Sequence, residues 1–309
     1  MQPDIQPYVL SNSSLSLPRR TVLLALAALG LGARPGAAAE TMAYRYWDWG
    51  TRRDDYQVAV LTLALEKTAA AYGPYSVTRV PAKMSASRSR REVHVGRLMN
   101  VYVAPWRDIN AGPEDERSHQ ISTPILGGLL GYRWLVVRKE DLAQFKAISS
   151  AAQLKTLPAG LGRGWVDVSV LRHNGYRVED SGNMPTLLDM LINKRFAYLP
   201  FGAIETAALL ESHPQQAREL AVVPDMVMYY PLPSIFYVSP SQPRLAERVE
   251  AGLAAAKRDG SLDELTARHF QKEIKQLKAS SNRYFVLANP LLPKAYVGQP
   301  TLVSGKTAP

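Results

Sequence analysis

Apolar residues recur along this chain in two alternating patterns, short buried-type runs and longer stretches at helical spacing. "MAYRYWDWG" (42–50) reads as a strand leaving into an aromatic loop. "DDYQVAVLTLALEKTAAAYG" then puts Val58, Leu61 and Leu65 on one face, with Asp54 and Asp55 at its start and Gly73 after its end, the marks of a helix. "YSVTRV" is the next strand, "SRREVHVGRLMN" a helix, "VYVAPW" a short buried strand and "GGLLGYRWLVVRK" another strand. From Leu154 to Val223 the alternation continues: a short strand before Gly160, helix 165–173, strand "YRVE", helix "TLLDMLINK", strand "FAYL", helix "AIETAALLES" and strand "LAVVP". Such repeated alternation predicts an α/β fold with largely parallel sheets covered on both faces. A strand-rich passage, "MVMYYPLPSIFYVSP", precedes a helix ending at Gly260, where Ser261 and Glu264 suggest a capping box for the helix that follows. The stretch 286–309, with prolines at 290, 293, 300 and 309 and no sustained period, reads as an extended or disordered tail.

The first residues do not fit this alternation. Arg19 and Arg20 precede the apolar run "TVLLALAALGLGA", which is followed by "RPGAAAE". A basic start, an apolar core and small residues define a cleavable secretory signal peptide over 1–39. Arg34 and Pro35 stop the run well short of the roughly 20 residues a membrane span needs. The remainder is long enough, and at 46% hydrophobic and 21% charged sufficiently apolar, to build a proper core in one or two domains.

Composition narrows the chemistry. The chain has no cysteine, which excludes disulfides, thiolate metal sites, a cysteine nucleophile and a lipid-modified cysteine. Export without an anchor implies a periplasmic protein. The formal charge of +10 falls by two once Arg19, Arg20, Arg34 and Asp4 leave with the signal. A basic balance suits an acidic ligand, and export argues against nucleic acid. The dense cluster "SRSRREVHVGR" reads as a solvated helix face.

In sheets of this class, ligands lie beyond the carboxyl ends of the strands. The aromatic and charged residues placed there are Trp47 and Trp49 after the first strand, Trp106 after "VYVAP", Gly164 and Trp165 after the strand at 160, and Glu205 after "FAYLP". "GLGRGWVDVSVLRHNGY" (160–176) begins like a dinucleotide fingerprint, but Trp165 occupies its third glycine position, where its bulk opposes close packing. Amides near Gly164 and Trp165 are left to receive a smaller anion or simply to turn the chain. Glu205 is either a ligand-facing acid or an acid placed by the helix dipole alone. No nucleophile elbow appears, and the five histidines show no metal-ligand spacing, so no cofactor or metal is expected.

"APWRDINAGPEDERSHQISTPILGGLLGYRWLVVRK" (104–139) and "PSIFYVSPSQPRLAERVEAGLAAAKRDGSLDEL" (233–265), with the order of elements over 43–272, resemble the type 2 periplasmic binding proteins. Within these, the chain is similar to the extracellular solute-binding family 3 of amino-acid transporters. The resemblance implies two lobes, 40–137 plus 224–285 and 138–223, with the ligand between them. It implies a carboxylate clamp at Arg117 and an ammonium-binding acid near Gly202, for which Glu205 is the nearest substitute. The family's Ser or Thr contacts ahead of the arginine are replaced by "INAGPEDE", and "GLLGYR", "LLDMLINKRFAYLP" and "GWVDVSVLRHNGY" mark a divergent branch. The implied function is a monomeric solute-binding protein for a small anionic or zwitterionic organic solute, serving an inner-membrane ABC permease or a sensor. The alternatives are an exported dehydratase or lyase-like enzyme, with Glu205 and Asp167 as its acid and base, and a non-binding signalling or scaffold protein.

Overall fold

Two sheets organise the computed structural model, which describes residues 40–49, 51–82, 84–296, 302, 306 and 307. The expected signal peptide over 1–39 lies outside the described residues. The first sheet contains β1 (Met42–Asp48), β2 (Tyr75–Pro81), β3 (Val101–Pro105) and β4 (His119–Gln120). The second contains β5 (Tyr132–Arg138), β6 (Ala159–Gly160), β7 (Val178–Glu179), β8 (Tyr198–Gly202) and β9 (Leu220–Tyr229). β10 (Ser234–Val238) returns to the first sheet, giving the order β2-β1-β3-β10-β4. β11 (Arg283–Val286) and β12 (Lys306–Thr307) join the second, in the order β12-β11-β9-β5-β8-β6-β7. A single strand runs against the rest in each sheet, β10 in the first and β5 in the second. Both sheets belong to one compact unit, Thr41–Pro309.

The helices that matter for the site and its support are α1 (Arg52–Lys67), α2 (Ala86–Val95), α3 (Val166–His173), α4 (Thr206–Ser212), α5 (Pro243–Arg258) and α6 (Ser261–His269). α1 opens on the capping box of Thr51 and Asp54, which satisfies the first free amides and sets where the helix starts. Its buried face carries Val60, Leu61, Ala64 and Leu65, including two of the three periodic residues, with Val58 partly buried, and packs on α5. The approach is so close that a Cβ on Gly252 would meet the carbonyl oxygen of Ala64 at 2.1 Å. Beside that contact, the fully buried Arg248 of α5 donates to the carbonyls of Leu65 (3.1 Å) and Gly73 (2.9 Å) and to the Thr68 hydroxyl (3.2 Å). Its guanidinium lies over the rings of Tyr72 and Tyr75, so one cation closes the end of α1 and the turn into β2.

Two expectations need correction. The helix beginning near Ser89 stops at Val95, because Gly96 takes a left-handed conformation (φ 74°) and its amide closes the last turn onto Glu92. The capping box at Ser261 does not form. Ser261 is the first residue of α6, behind Gly260, and its hydroxyl donates to the Asp259 carboxylate at 2.6 Å. β5 and β9, the strands in which the expected lobe limits at 137/138 and 223/224 fall, both lie in the second sheet. Where it is described, the stretch after 286 runs along the body, one of the two alternatives expected for it: Leu287 is buried and donates its amide to Tyr229 at 2.8 Å, Asn289 caps Pro231, and Tyr296 reaches Ser122. Among the described residues no helix is long and apolar enough to cross a membrane.

Candidate functional site

The carboxyl ends of β6, β8 and β9 lie at one edge of the second sheet, and because β5 is antiparallel its first residues share that edge. Arg133 pairs with Gly202 and Met228 in register, and Tyr132 with Tyr229. Arg133, Asp167, Glu205 and Tyr230 gather there. Arg133 is 5% exposed and its Nη2 lies 2.6 Å from Asp167 Oδ1. The Tyr230 hydroxyl donates to the same oxygen at 2.5 Å, and the Arg133 guanidinium lies over the Tyr230 ring. Burial works against the Arg133 cation, but the Asp167 carboxylate, with Tyr230 and Glu205, outweighs it and raises its pKa above the usual arginine value. Burial also pushes the Tyr230 hydroxyl well above the ordinary phenol range.

One residue of the first sheet's edge reaches this group. Arg53, in the first turn of α1 just beyond β1, lies 2.5 Å from Glu205 Oε1, both side chains being largely covered at 24% and 19% exposure. The second oxygen of Glu205 rests over Gly202, where a Cβ would meet it at 2.2 Å and the Arg133 guanidinium at 3.3 Å. The result is a chain of alternating charge, Arg53, Glu205, Arg133, Asp167, that joins the edges of the two sheets and balances to zero.

The expected site residues divide between this network and its surroundings. Glu205 belongs to it, although it stands at the residue before α4 and not inside the first turn. Asp167 is held by Arg133 and Tyr230. Trp165 folds back over the glycine turn, its indole standing 2.3 Å from where a Cβ on Gly162 would be, and its outer face packs toward Phe201 at 6.2 Å. The amide of Trp165 is spent on the Gly162 carbonyl at 3.1 Å, so it is not free for an anion, while Gly164 turns the chain with a positive φ of 74°. Gly160 and Gly162 therefore serve ring packing: a Cβ on Gly160 would collide with Phe196.

The other tryptophans stay with the first sheet. Trp47 is buried, donates its indole N–H to Ala82 at 2.9 Å and packs with Val93, Met99, Tyr102 and Tyr237 beneath α2. Trp49 is 45% exposed and lies against it, ring centres 4.7 Å apart. Trp106 is half-buried beside the same cluster and near Tyr296. The four therefore do not converge on one ligand surface. Arg117 is also apart from the charge network: its side chain is 45% exposed and pairs with Glu114 at 3.3 Å, and its carbonyl meets His94 of α2. Among the described residues no group of histidines and acids is placed to hold a metal ion.

Sequence reasoning missed Arg53, Arg133 and Tyr230. Each carried a signal. Arg133 is the one charge inside the apolar run "GYRWLVV", and Arg53 is a cation at a helix start, where the dipole disfavours it. Tyr230 directly follows β9, so the rule that strand ends face the ligand already covered it.

Near Arg117, the buried Glu116 accepts from Ser87 and Arg90. Burial opposes its charge, yet these partners outweigh it and hold its carboxyl below the usual 4.5. The stabilisation it contributes is therefore complete above that pH and is lost as pH falls through the depressed value. Urea unfolding measured from pH 6 downward is expected to show a shallower acid loss in Glu116→Gln than in the parent chain.

No protein-family model matches this chain, and no curated protein is similar to it in sequence. Solved structures are similar in fold. An ancestral arginine-binding protein bound to glutamine is 16% identical at a TM-score of 0.50, the match covering 75% of this chain and 100% of that one. A Salmonella typhimurium periplasmic binding protein with high arginine specificity is 14% identical at 0.48, over 74% and 99%. A histidine kinase sensor domain with similarity to periplasmic binding proteins is 15% identical at 0.48, over 75% and 96%. At such identities the likeness is one of fold. The chain has the two-lobed type 2 periplasmic-binding-protein fold, as its strand order, with one reversed strand per sheet, also indicates.

Proposed function

We propose that this protein is an exported, monomeric solute-binding protein of the periplasm that takes up a small anionic or zwitterionic organic solute where the two sheets meet, and passes it to an ABC permease or reports it to a sensor. The observation that carries this reading is the meeting of Arg53 from one sheet edge with Glu205 and Arg133 from the other. Cations and an acid held on rigid elements at a two-lobe boundary can grip a charged organic group from both sides. Arg53 and Arg133 are better placed than Arg117 for the anionic group, since the charge network includes both and Arg117 is exposed and engaged with Glu114.

A thermal-shift screen of the purified protein against amino acids, organic acids, sugars and short peptides tests the reading. A solute that binds only the folded state at about 100 times its Kd adds about 2.7 kcal/mol and raises the midpoint by several degrees. That shift is expected to disappear in Arg53→Ala and to survive in Arg117→Ala. If the hit's shift is lost only in Arg117→Ala, the anion lies at the clamp the resemblance implies. If no solute class moves the midpoint, the solute-binding reading falls. Conversion of the hit during incubation would instead favour an enzyme.

A further inference from the structure

We propose that Arg53 and Glu205 form a latch that keeps the two lobes closed in the absence of solute, so that an incoming solute must first displace the protein's own ion pair. The inference rests on the solute-binding reading for its purpose but not for its test.

The placement of the two residues is what makes them a latch. Arg53 belongs to α1, which follows β1 of the first sheet, and Glu205 to the turn after β8 of the second, 152 residues away. Their 2.5 Å contact therefore ties one lobe to the other. It is covered enough to escape most solvent screening, yet neither partner is fully buried, so it can part and re-form. The decisive feature is a second cation within electrostatic reach of Glu205. Its other oxygen lies over Gly202, and its charge helps to hold Arg133 protonated although the two side chains form no direct ion pair. When Arg53 leaves, Glu205 remains in the field of Arg133 and Arg53 passes to water, so opening leaves no buried charge wholly uncompensated. A buried pair without such a reserve would resist opening, because removing one partner leaves the other uncompensated. Gly202 makes room for the carboxylate, since a Cβ there would meet Glu205 Oε2 at 2.2 Å.

Because the chain contains no cysteine, two introduced cysteines can be labelled without competition. Spin labels at Glu66→Cys on α1 and Ser169→Cys on α3, both exposed positions, report the distance between the lobes by double electron–electron resonance. The parent chain without solute is expected to give one short, narrow distance. Glu205→Gln and Arg53→Gln should each move the population by about tenfold toward a longer, broader one. The exchanged pair Arg53→Glu with Glu205→Arg, which keeps the attraction, should recover part of the short distance. Unchanged distances in both single variants would overturn the latch, whatever the solute screen finds. If the distances change as expected but no solute is bound, the latch stands and the solute-binding reading fails.

Discussion

Replacing Arg248 by alanine is expected to remove about 4 kcal/mol or more of stability, the largest single loss in this molecule. The guanidinium is fully buried and serves acceptors from three places, the end of α1 at Leu65, the Thr68 hydroxyl and the turn carbonyls of Gly73 and Pro74. Alanine would take the guanidinium from all these acceptors, of which the Leu65 and Pro74 carbonyls keep the amides of Thr68 and Met42, and would empty the space beside the Tyr72 and Tyr75 rings. The loss of a fully buried side chain together with its charge-assisted hydrogen bonds is why the effect exceeds that of a surface arginine. In a domain of this size, differential scanning calorimetry should record a fall in Tm of about 10 °C. Arg248→Lys keeps the charge but offers a compact ammonium in place of a planar fork, and is expected to recover less than half of the loss. A Tm within 2 °C of the parent in Arg248→Ala would show that α1 and α5 hold together without the cation.

The second large effect is expected at Asp167. Asp167→Ala removes the carboxylate that compensates Arg133 and accepts from Tyr230, and should cost about 3–5 kcal/mol in urea unfolding, the range for breaking a buried pair on one side. Removing both charges, with Arg133→Met added, should restore much of the loss, because no unpaired cation then remains. The sign of that difference separates two accounts of the network. If the double variant is as unstable as the single one, Asp167 matters through packing and its bond to Tyr230. If it is more stable, the loss in the single variant came from the stranded charge. In either case Glu205 retains Arg53, so the latch distance should be less affected than stability.

These residues also show what the sequence made legible. The strand and helix alternation is written in local periodicity, and the elements from β1 to α5 fall close to where the pattern puts them. Where it erred, a nearby competing geometry prevailed: Gly96 ended α2 by adopting a left-handed turn, and the Ser261 hydroxyl found Asp259 before any amide of its own helix. The rule that strand ends face the ligand singled out Glu205 and Trp165, and it ranked tryptophans above buried charges. Trp47 is core because the cluster under α2 surrounds it, a fact that depends on which face of β1 the helix covers. The resemblance placed the fold and implied a clamp at Arg117, which is exposed and paired with Glu114, whereas Arg53 and Arg133 belong to the charge network.

By itself, then, the sequence determined the elements, their alternation and so the two-sheet class, because backbone preference and apolar period act over a few neighbouring residues. Only the tertiary structure decided which charges meet. Arg53 and Glu205 are 152 residues apart, Asp167 and Tyr230 63, and Arg248 and Leu65 183. No local pattern encodes such pairings. They follow from the sheet order, which brings the reversed β5 beside β8 and β9, and from the return of the chain to the first sheet at β10. Once those edges meet, an arginine that would be costly alone in an apolar strand finds Asp167, and the free energy of compensating a buried charge selects the partner.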